Sequence, residues 1–351
     1  MSMPKPAKKC LFYLFITFVV VLIMTPVFFL ITTSFMSNNE AYTYPLPIIP
    51  AFSYKFQVKK HPSKYGDSYF IGIYNKNSKE FESVLDTSSI DQIRTYFRQQ
   101  LSVSVTNKDI TDKLGNMKNG DIIQFSFRKD LLYNYTTFFI VVRDAFPALL
   151  RSIEVAFLTI LISLVIGGMA GYAFARYIYK GKDITKVTIL FVRMFPAVSL
   201  AVPMVLILTA LGLFDCPFGL SLVYSVGSIA LTAWITASIF VGLPVELEEA
   251  AQVFGATKLR VFFKITLPLA LPGLAAASMY AFLGAWNETV CALLLTQNNP
   301  TFAVVVYQTL VNASGEINLV AAGGICMAIP AILFTLIIKK YIKQMWGGVS
   351  V

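Results

Sequence analysis

The stretch "ELEEAAQVFGATKLRVFFKITLP", residues 246–268, is charged and helix-prone, yet it lies between two long apolar runs. Pro244 suits a first helical position, and Glu246, Glu248 and Glu249 then bring negative charge to the positive end of the helix dipole. Leu247, Ala250, Ala251 and Phe254 share one face by i, i+3, i+4 and i+7 spacing. Gly255 stands where a helix commonly ends in the left-handed conformation that glycine adopts most cheaply. Thr257 is placed to cap a second short helix through Lys264, which Pro268 is expected to stop. The spacing predicts a helical hairpin over residues 244–268. A hairpin resting on lipid headgroups would carry Lys and Arg on its polar face. This first helix has three glutamates and no cation, which favours a protein partner over lipid.

The runs on either side set the class. Of 351 residues, 56% are hydrophobic and only 14% charged, against about a quarter charged in soluble domains. A spanning helix needs about 20 mostly apolar residues. Six stretches qualify: 11–31, 152–175, 187–213, 220–242, 269–295 and 318–338. The first follows Lys5, Lys8 and Lys9, but its apolar run exceeds the roughly 7 to 15 residues of a signal-peptide core and no small-x-small site follows, so it reads as a retained helix. The expected architecture is an all-α polytopic membrane protein of six transmembrane helices.

Orientation follows from cations in the short loops. Lys5, Lys8 and Lys9 precede the first span. Arg176, Lys180, Lys182 and Lys186 lie between the second and third, Lys258, Arg260 and Lys264 between the fourth and fifth, and Lys339, Lys340 and Lys343 after the sixth. The loops at 214–219 and 296–317 carry no Lys or Arg. Both termini and the 244–268 hairpin are therefore expected in the cytoplasm, and residues 32–151 outside. The net charge of +10 divides between membrane anchoring and this outer segment and does not indicate nucleic acid.

Within the outer segment, residues 53–132 read as a small α+β insert. "YFIGIY" (69–74), "LSVSV" (101–105) and "DIIQFSF" (121–127) have strand character, "KNGD" (118–121) marks a turn, and 88–101 reads as a helix capped by Ser88 or Ser89. The chain's one histidine, His61, lies beside Lys59 and Lys60 with no second His or Cys nearby, and is assigned no role. Cys10, Cys216, Cys291 and Cys326 are scattered without paired spacing, so neither a metal site nor a disulfide framework is expected. No GxxxxGK[ST] loop and no Ser-His-Asp or Cys-His set occurs, so the chain is not expected to be an enzyme or to hold a cofactor.

The spacing Glu249-Ala250-Ala251, three residues, Gly255, nine residues, Ile265, one residue, Leu267-Pro268 resembles the EAA loop of permease subunits in binding-protein-dependent ABC importers. Further segments are similar to carbohydrate-type permeases related to the maltose MalG subunit: "NNEAYTYPLPIIP" (38–50), "YAFARY" (172–177), "MFPAV" (194–198), "GAWNE" (284–288) and "GGV" (347–349). The likeness covers residues 1–52 and 133–351; the insert is the departure. The resemblance implies a hairpin that docks on an ATPase, with Glu248, Glu249, Ala250, Ala251, Gly255, Ile265, Leu267 and Pro268 as the coupling set. It further implies a second, homologous permease, two copies of an ATP-binding cassette ATPase that hold ATP and Mg, an extracytoplasmic solute-binding protein, a sugar or oligosaccharide substrate, and a bacterial inner membrane. An importer of another solute, such as polyamine or phosphate, shares the loop. A membrane-anchored receptor or scaffold displaying the insert is the rival of a different class.

Glu154, Arg193, Asn287 and Glu288 fall within the apolar stretches, where an unpaired charge at the bilayer centre costs at least about 2.5 kcal/mol. Arg193 is close enough to the cytoplasmic end to snorkel, and Glu154 is close enough to the outer surface for exposure or a local pair. Trp286, Asn287 and Glu288 combine a ring face with an amide and a carboxylate, which suits sugar on a translocation path and equally suits polar contact between helices.

Overall fold

The computed structural model describes residues 5–63, 66–75, 78–115, 117–312 and 316–347. It divides into two compact units, one of residues 1–143 with 309–326 and one of 144–308 with 327–351.

The first unit opens with α1 (Lys5–Ser34), whose span Leu11–Ser34 is long and apolar enough to cross a membrane. Its end is tied down by Asn134 Nδ2, which donates to Ser34 O at 2.8 Å and Met36 O at 2.7 Å. A short turn, α2 (Asn38–Ala41), follows with a capping box between Ser37 and Glu40. Glu40 also forms a buried ion pair with Lys129. Burial pulls the Lys129 ammonium below the usual lysine range, and the Glu40 charge opposes that fall.

Four antiparallel strands, β1 (Ser53–Ser63), β2 (Gly66–Asn75), β3 (Glu80–Thr87) and β4 (Ile122–Arg128), form one sheet in the order β3-β2-β1-β4. Two helices pack with it, α3 (Ile90–Leu101) and α4 (Asn107–Leu114). Phe56, Val58 and Ile71 from the sheet meet Phe97, Leu101, Ile110 and Leu114 from the helices. Ser89 caps α3, and Gly120 takes a positive φ in the turn before β4. The "LSVSV" expectation is corrected: Leu101 ends α3, Ser102 is left-handed, and residues 102–105 pair with no strand. Leu101, Ser102 and Val103 are all buried, so the alternation of residue type corresponds neither to alternating burial nor to a ladder. The unit continues with α5 (Tyr133–Val141), where the Phe138 ring lies so close to Gly323 that a Cβ there would meet it at 2.5 Å.

The second unit contains α6 (Ala145–Arg176), α7 (Lys182–Arg193), α8 (Ala197–Ala210), α9 (Pro217–Val241), α10 (Glu246–Val253), α11 (Lys258–Val261), α12 (Leu267–Trp286) and α13 (Val290–Leu295). Two further helices, α14 (Phe302–Asn312) and α15 (Ile317–Gly347), give residues to both units. Among the described residues five helices are long and apolar enough to cross a membrane, or six if the bent pair of α7 and α8 is one span. Helices α6 and α9 pack closely because Gly171 lacks a side chain: a Cβ there would fall 2.0 Å from Thr236 Oγ1.

Two expected spans are not straight helices. The 187–213 stretch bends by 92° between α7 and α8, since Pro196 has no N–H to donate and disfavours helical geometry in Phe195. The 269–295 stretch breaks after Trp286. There the Glu288 carboxylate accepts the Cys291 N–H at 2.9 Å and Tyr224 Oη donates to Glu288 O at 3.3 Å, replacing lost helical bonds.

Candidate functional sites

The first helix of the hairpin, α10, begins at Glu246, two residues beyond Pro244, with Glu248 and Glu249 N–H bonding to Val245 O. It ends as its glycine requires: Gly255 has φ +84°, its N–H bonds to Gln252 O, and Ala256 N–H returns to Ala251 O. Thr257 Oγ1 accepts the Arg260 N–H at 3.4 Å and starts α11. Pro268 does not stop this helix, contrary to expectation. A π-turn at Phe262–Thr266, closed by a bond from Leu267 N–H to Phe262 O, carries α11 into α12 with Pro268 near the start of α12. The wider turn absorbs the bond that proline cannot make.

The structure spreads the expected coupling residues over two environments. Glu249, Ala250, Gly255 and Pro268 are exposed, Ala251, Ile265 and Leu267 are half-buried, and Glu248 is buried. Beside the exposed members Val253 is 84% and Phe254 90% accessible, with Leu259 also outward. Glu248 turns inward instead. Its Oε1 accepts from Arg176 Nε and its Oε2 from Tyr172 Oη, each at 2.8 Å, while Arg176 also donates to Leu243 O at 3.0 Å. This joins α10 to the end of α6. In the sequence Arg176 counted as a loop cation and as part of the "YAFARY" segment, with no partner assigned; the i+4 spacing from Tyr172 to Arg176 was the available sign that both face one way.

Elsewhere in the same unit an open cavity of about 320 Å³ is lined by Arg193, Tyr224, Ser228, Tyr280, Glu288 and Cys291, with Val192, Phe195, Leu200 and Val223 among its apolar walls. Glu288 reaches it; Trp286 and Asn287 do not line it. Trp286 is buried, its indole N–H donates to Met327 O at 2.9 Å, and its ring stacks on Phe282, which in turn stacks on Phe334. Asn287 is exposed at the end of α12. Arg193 is exposed, as a snorkelling side chain would be, and also lines the cavity with Glu288; the tyrosines were not singled out from the sequence. Glu154 is exposed.

Two loops of the unit are clamped together. Asp215, at φ +55°, accepts N–H bonds from Gln297, Asn298 and Asn299 at 2.8, 3.0 and 3.1 Å. Burial pushes its carboxyl upward, but the three amides outweigh it and hold the group below the usual carboxylate range. Among the described residues no group of His, Cys, Asp and Glu is arranged to hold a metal. His61 pairs with Asp86 at 3.1 Å on the sheet. The last residues of the "GGV" segment, 348 and 349, lie outside the described residues.

Residues 163–346 match the family described as binding-protein-dependent transport system inner membrane component. The chain belongs to this family. The match takes in the hairpin, the Arg176–Glu248 pair and the cavity. The trehalose transport system permease protein SugB of Mycobacterium tuberculosis is 37% identical over 201 residues, 56% of this chain and 73% of SugB. The trehalose/maltose permease MalG of Thermococcus litoralis is 33% identical over 201 residues, 56% of this chain and 72% of that protein. Among solved structures, a chain of a bacterial ABC transporter involved in importing the acidic polysaccharide alginate superposes with a TM-score of 0.56 at 16% identity, over 97% of this chain and 99% of the other. That likeness is one of fold.

Proposed function

We propose that this chain is a sugar- or oligosaccharide-importing permease subunit that works with a second, homologous permease, two copies of an ATP-binding cassette ATPase and an extracytoplasmic solute-binding protein. The geometry of the hairpin carries the reading. An acidic helix with exposed Val253 and Phe254 presents a protein-docking surface, while Glu248 fastens the same helix to the bundle. In this reading ATP and Mg bind to the ATPases.

Closure of the ATPases moves the 244–268 hairpin, and two connections carry the motion inward. One is the Glu248 ion pair to Arg176 at the end of α6. The other is the unbroken path from α11 through the π-turn into α12. Helix α12 extends about 30 Å at 1.5 Å per residue and ends two residues before Glu288, so displacement at the hairpin reaches the cavity. Glu249 and Ala250 belong to the docking face, and Gly255 sets the turn. The lysines and arginines of the short loops support a reading in which both termini and the hairpin face the cytoplasm and residues 32–151 lie outside, and the membrane in this reading is a bacterial inner membrane. The sugar assignment is supported by the trehalose and trehalose/maltose permeases among its relatives.

The experiment is gentle solubilisation of the tagged chain from its native membrane, identification of co-purifying chains, and an ATPase assay against a panel of sugars, polyamines and phosphate. Recovery of an ATPase and a second permease, with hydrolysis stimulated by a sugar and its binding protein, is expected. A chain recovered only with external partners, or stimulated only by polyamine or phosphate, overturns the reading.

A further inference from the structure

A carboxylate and a guanidinium within an apolar bundle lower their cost by pairing or by holding a ligand. Glu288, half-buried, and Arg193, on the exposed side of the wall, line one cavity, yet they form no ion pair among the described residues. The Glu288 carboxylate accepts the Cys291 N–H and the Cys291 thiol, and since two carboxylate oxygens offer about four acceptor positions, others are left for a ligand. The hydroxyls of Ser228 and Tyr280 line the same space and make no hydrogen bond among the described residues. The cavity thus offers unused donors and acceptors of both kinds around a volume of about 320 Å³, at the small end of the usual ligand-pocket range of about 300 to 1,000 Å³. Gly227 and Gly284 keep part of its wall free of side chains, and a Cβ at Gly227 would meet nothing within 4 Å.

We infer that this cavity is a substrate subsite contributed by this chain, in which Arg193 donates to, and Glu288 accepts from, the hydroxyls of one sugar residue, with Ser228 and Tyr280 completing its hydrogen bonds. A polyol fits this set because each hydroxyl both donates and accepts, so one ring satisfies the cation, the anion and the neutral hydroxyls together. A phosphate would be repelled by Glu288 and a polyamine by Arg193. The Tyr280 ring, exposed along the wall, adds a flat apolar surface for the sugar's C–H face. This inference rests on the proposal that the chain imports a sugar.

The test uses the complete transporter reconstituted in liposomes with its binding protein, and reads sugar moved per ATP hydrolysed. Loss of a hydrogen bond to a charged group corresponds to roughly tenfold or more in binding. Arg193→Gln and Glu288→Gln are each expected to lower the ratio about that much, Glu288→Asp less. Gly227→Phe, which fills the cavity from a position with open space, is expected to match the larger loss. Val202→Phe, on an exposed position of α8 away from the cavity lining, is expected to leave the ratio unchanged. A wild-type complex that moves sugar while Gly227→Phe and both charge variants keep its ratio overturns the subsite alone. A wild-type complex that moves no sugar overturns the underlying import reading instead.

Discussion

Arg176 Nε stands 2.8 Å from Glu248 Oε1, with the two side chains only 13% and 7% accessible. The bond fixes the acidic hairpin helix to the bundle. Breaking a buried pair from one side costs about 3–5 kcal/mol because a charge is left without a partner, whereas replacing both members with apolar groups is often neutral. Arg176→Met is therefore expected to lower the unfolding midpoint of the detergent-solubilised chain sharply. The double variant with Glu248→Leu is expected to recover much of it. Thermal unfolding of the two variants side by side checks this.

Gly255 adopts φ +84° with open space around its Cβ position, so a substitution there meets backbone strain and not crowding. A left-handed residue with a side chain costs roughly 1–2 kcal/mol, and asparagine tolerates it best. Gly255→Val should uncouple or release the ATPase while the helices remain inserted, and Gly255→Asn should do so less. Normal substrate-stimulated hydrolysis by the valine variant would contradict transmission of motion through the hairpin.

Phe254 is 90% accessible, so Phe254→Ser removes little from the chain's own packing. If the ring is buried by the ATPase, its loss weakens association by roughly 1.5–3 kcal/mol, or about tenfold to a hundredfold. The unfolding midpoint of the isolated chain should stay unchanged. A binding titration with the purified ATPase separates the two effects.

The class, the family and the acidic helix ending at Gly255 were legible because each rests on local pattern: apolar run length, motif spacing, and a glycine at fixed distance from an acidic start. The breaks at Pro196 and after Trp286 were not, since hydropathy counts apolar residues and ignores which backbone groups find partners. Half of the sheet was missed for a similar reason. Strand β1 carries "SYKFQVKKHPS", whose lysines and proline mask the inward Tyr54, Phe56 and Val58. Trp286 suited a sugar platform or helix–helix contact alike by residue type; the Met327 carbonyl, distant in sequence, and Phe282, one helical turn earlier, take up its polar and apolar surfaces. Arg193 and Glu288 lie far apart in the chain, and only tertiary structure brings them to one cavity.

Asp215 gives the loops a pH dependence of definite sign. Its carboxyl is lower in the folded state than its ordinary value of 3.8, so its contribution is complete above that value and disappears as pH falls through the lower folded value. Amide exchange at Gln297, Asn298 and Asn299, corrected for intrinsic rates, should show less protection at that acidic end than near neutrality. In Asp215→Asn the protection should be weaker at neutral pH and lose this dependence.

The coupling role of the hairpin is tested most directly by placing a photo-crosslinking amino acid at position 254 and irradiating native membranes. The expected product is a covalent adduct with the ATP-binding cassette ATPase, lost when Gly255 is replaced by valine. An adduct with lipid alone, or with proteins other than that ATPase, would contradict the role assigned to residues 244–268.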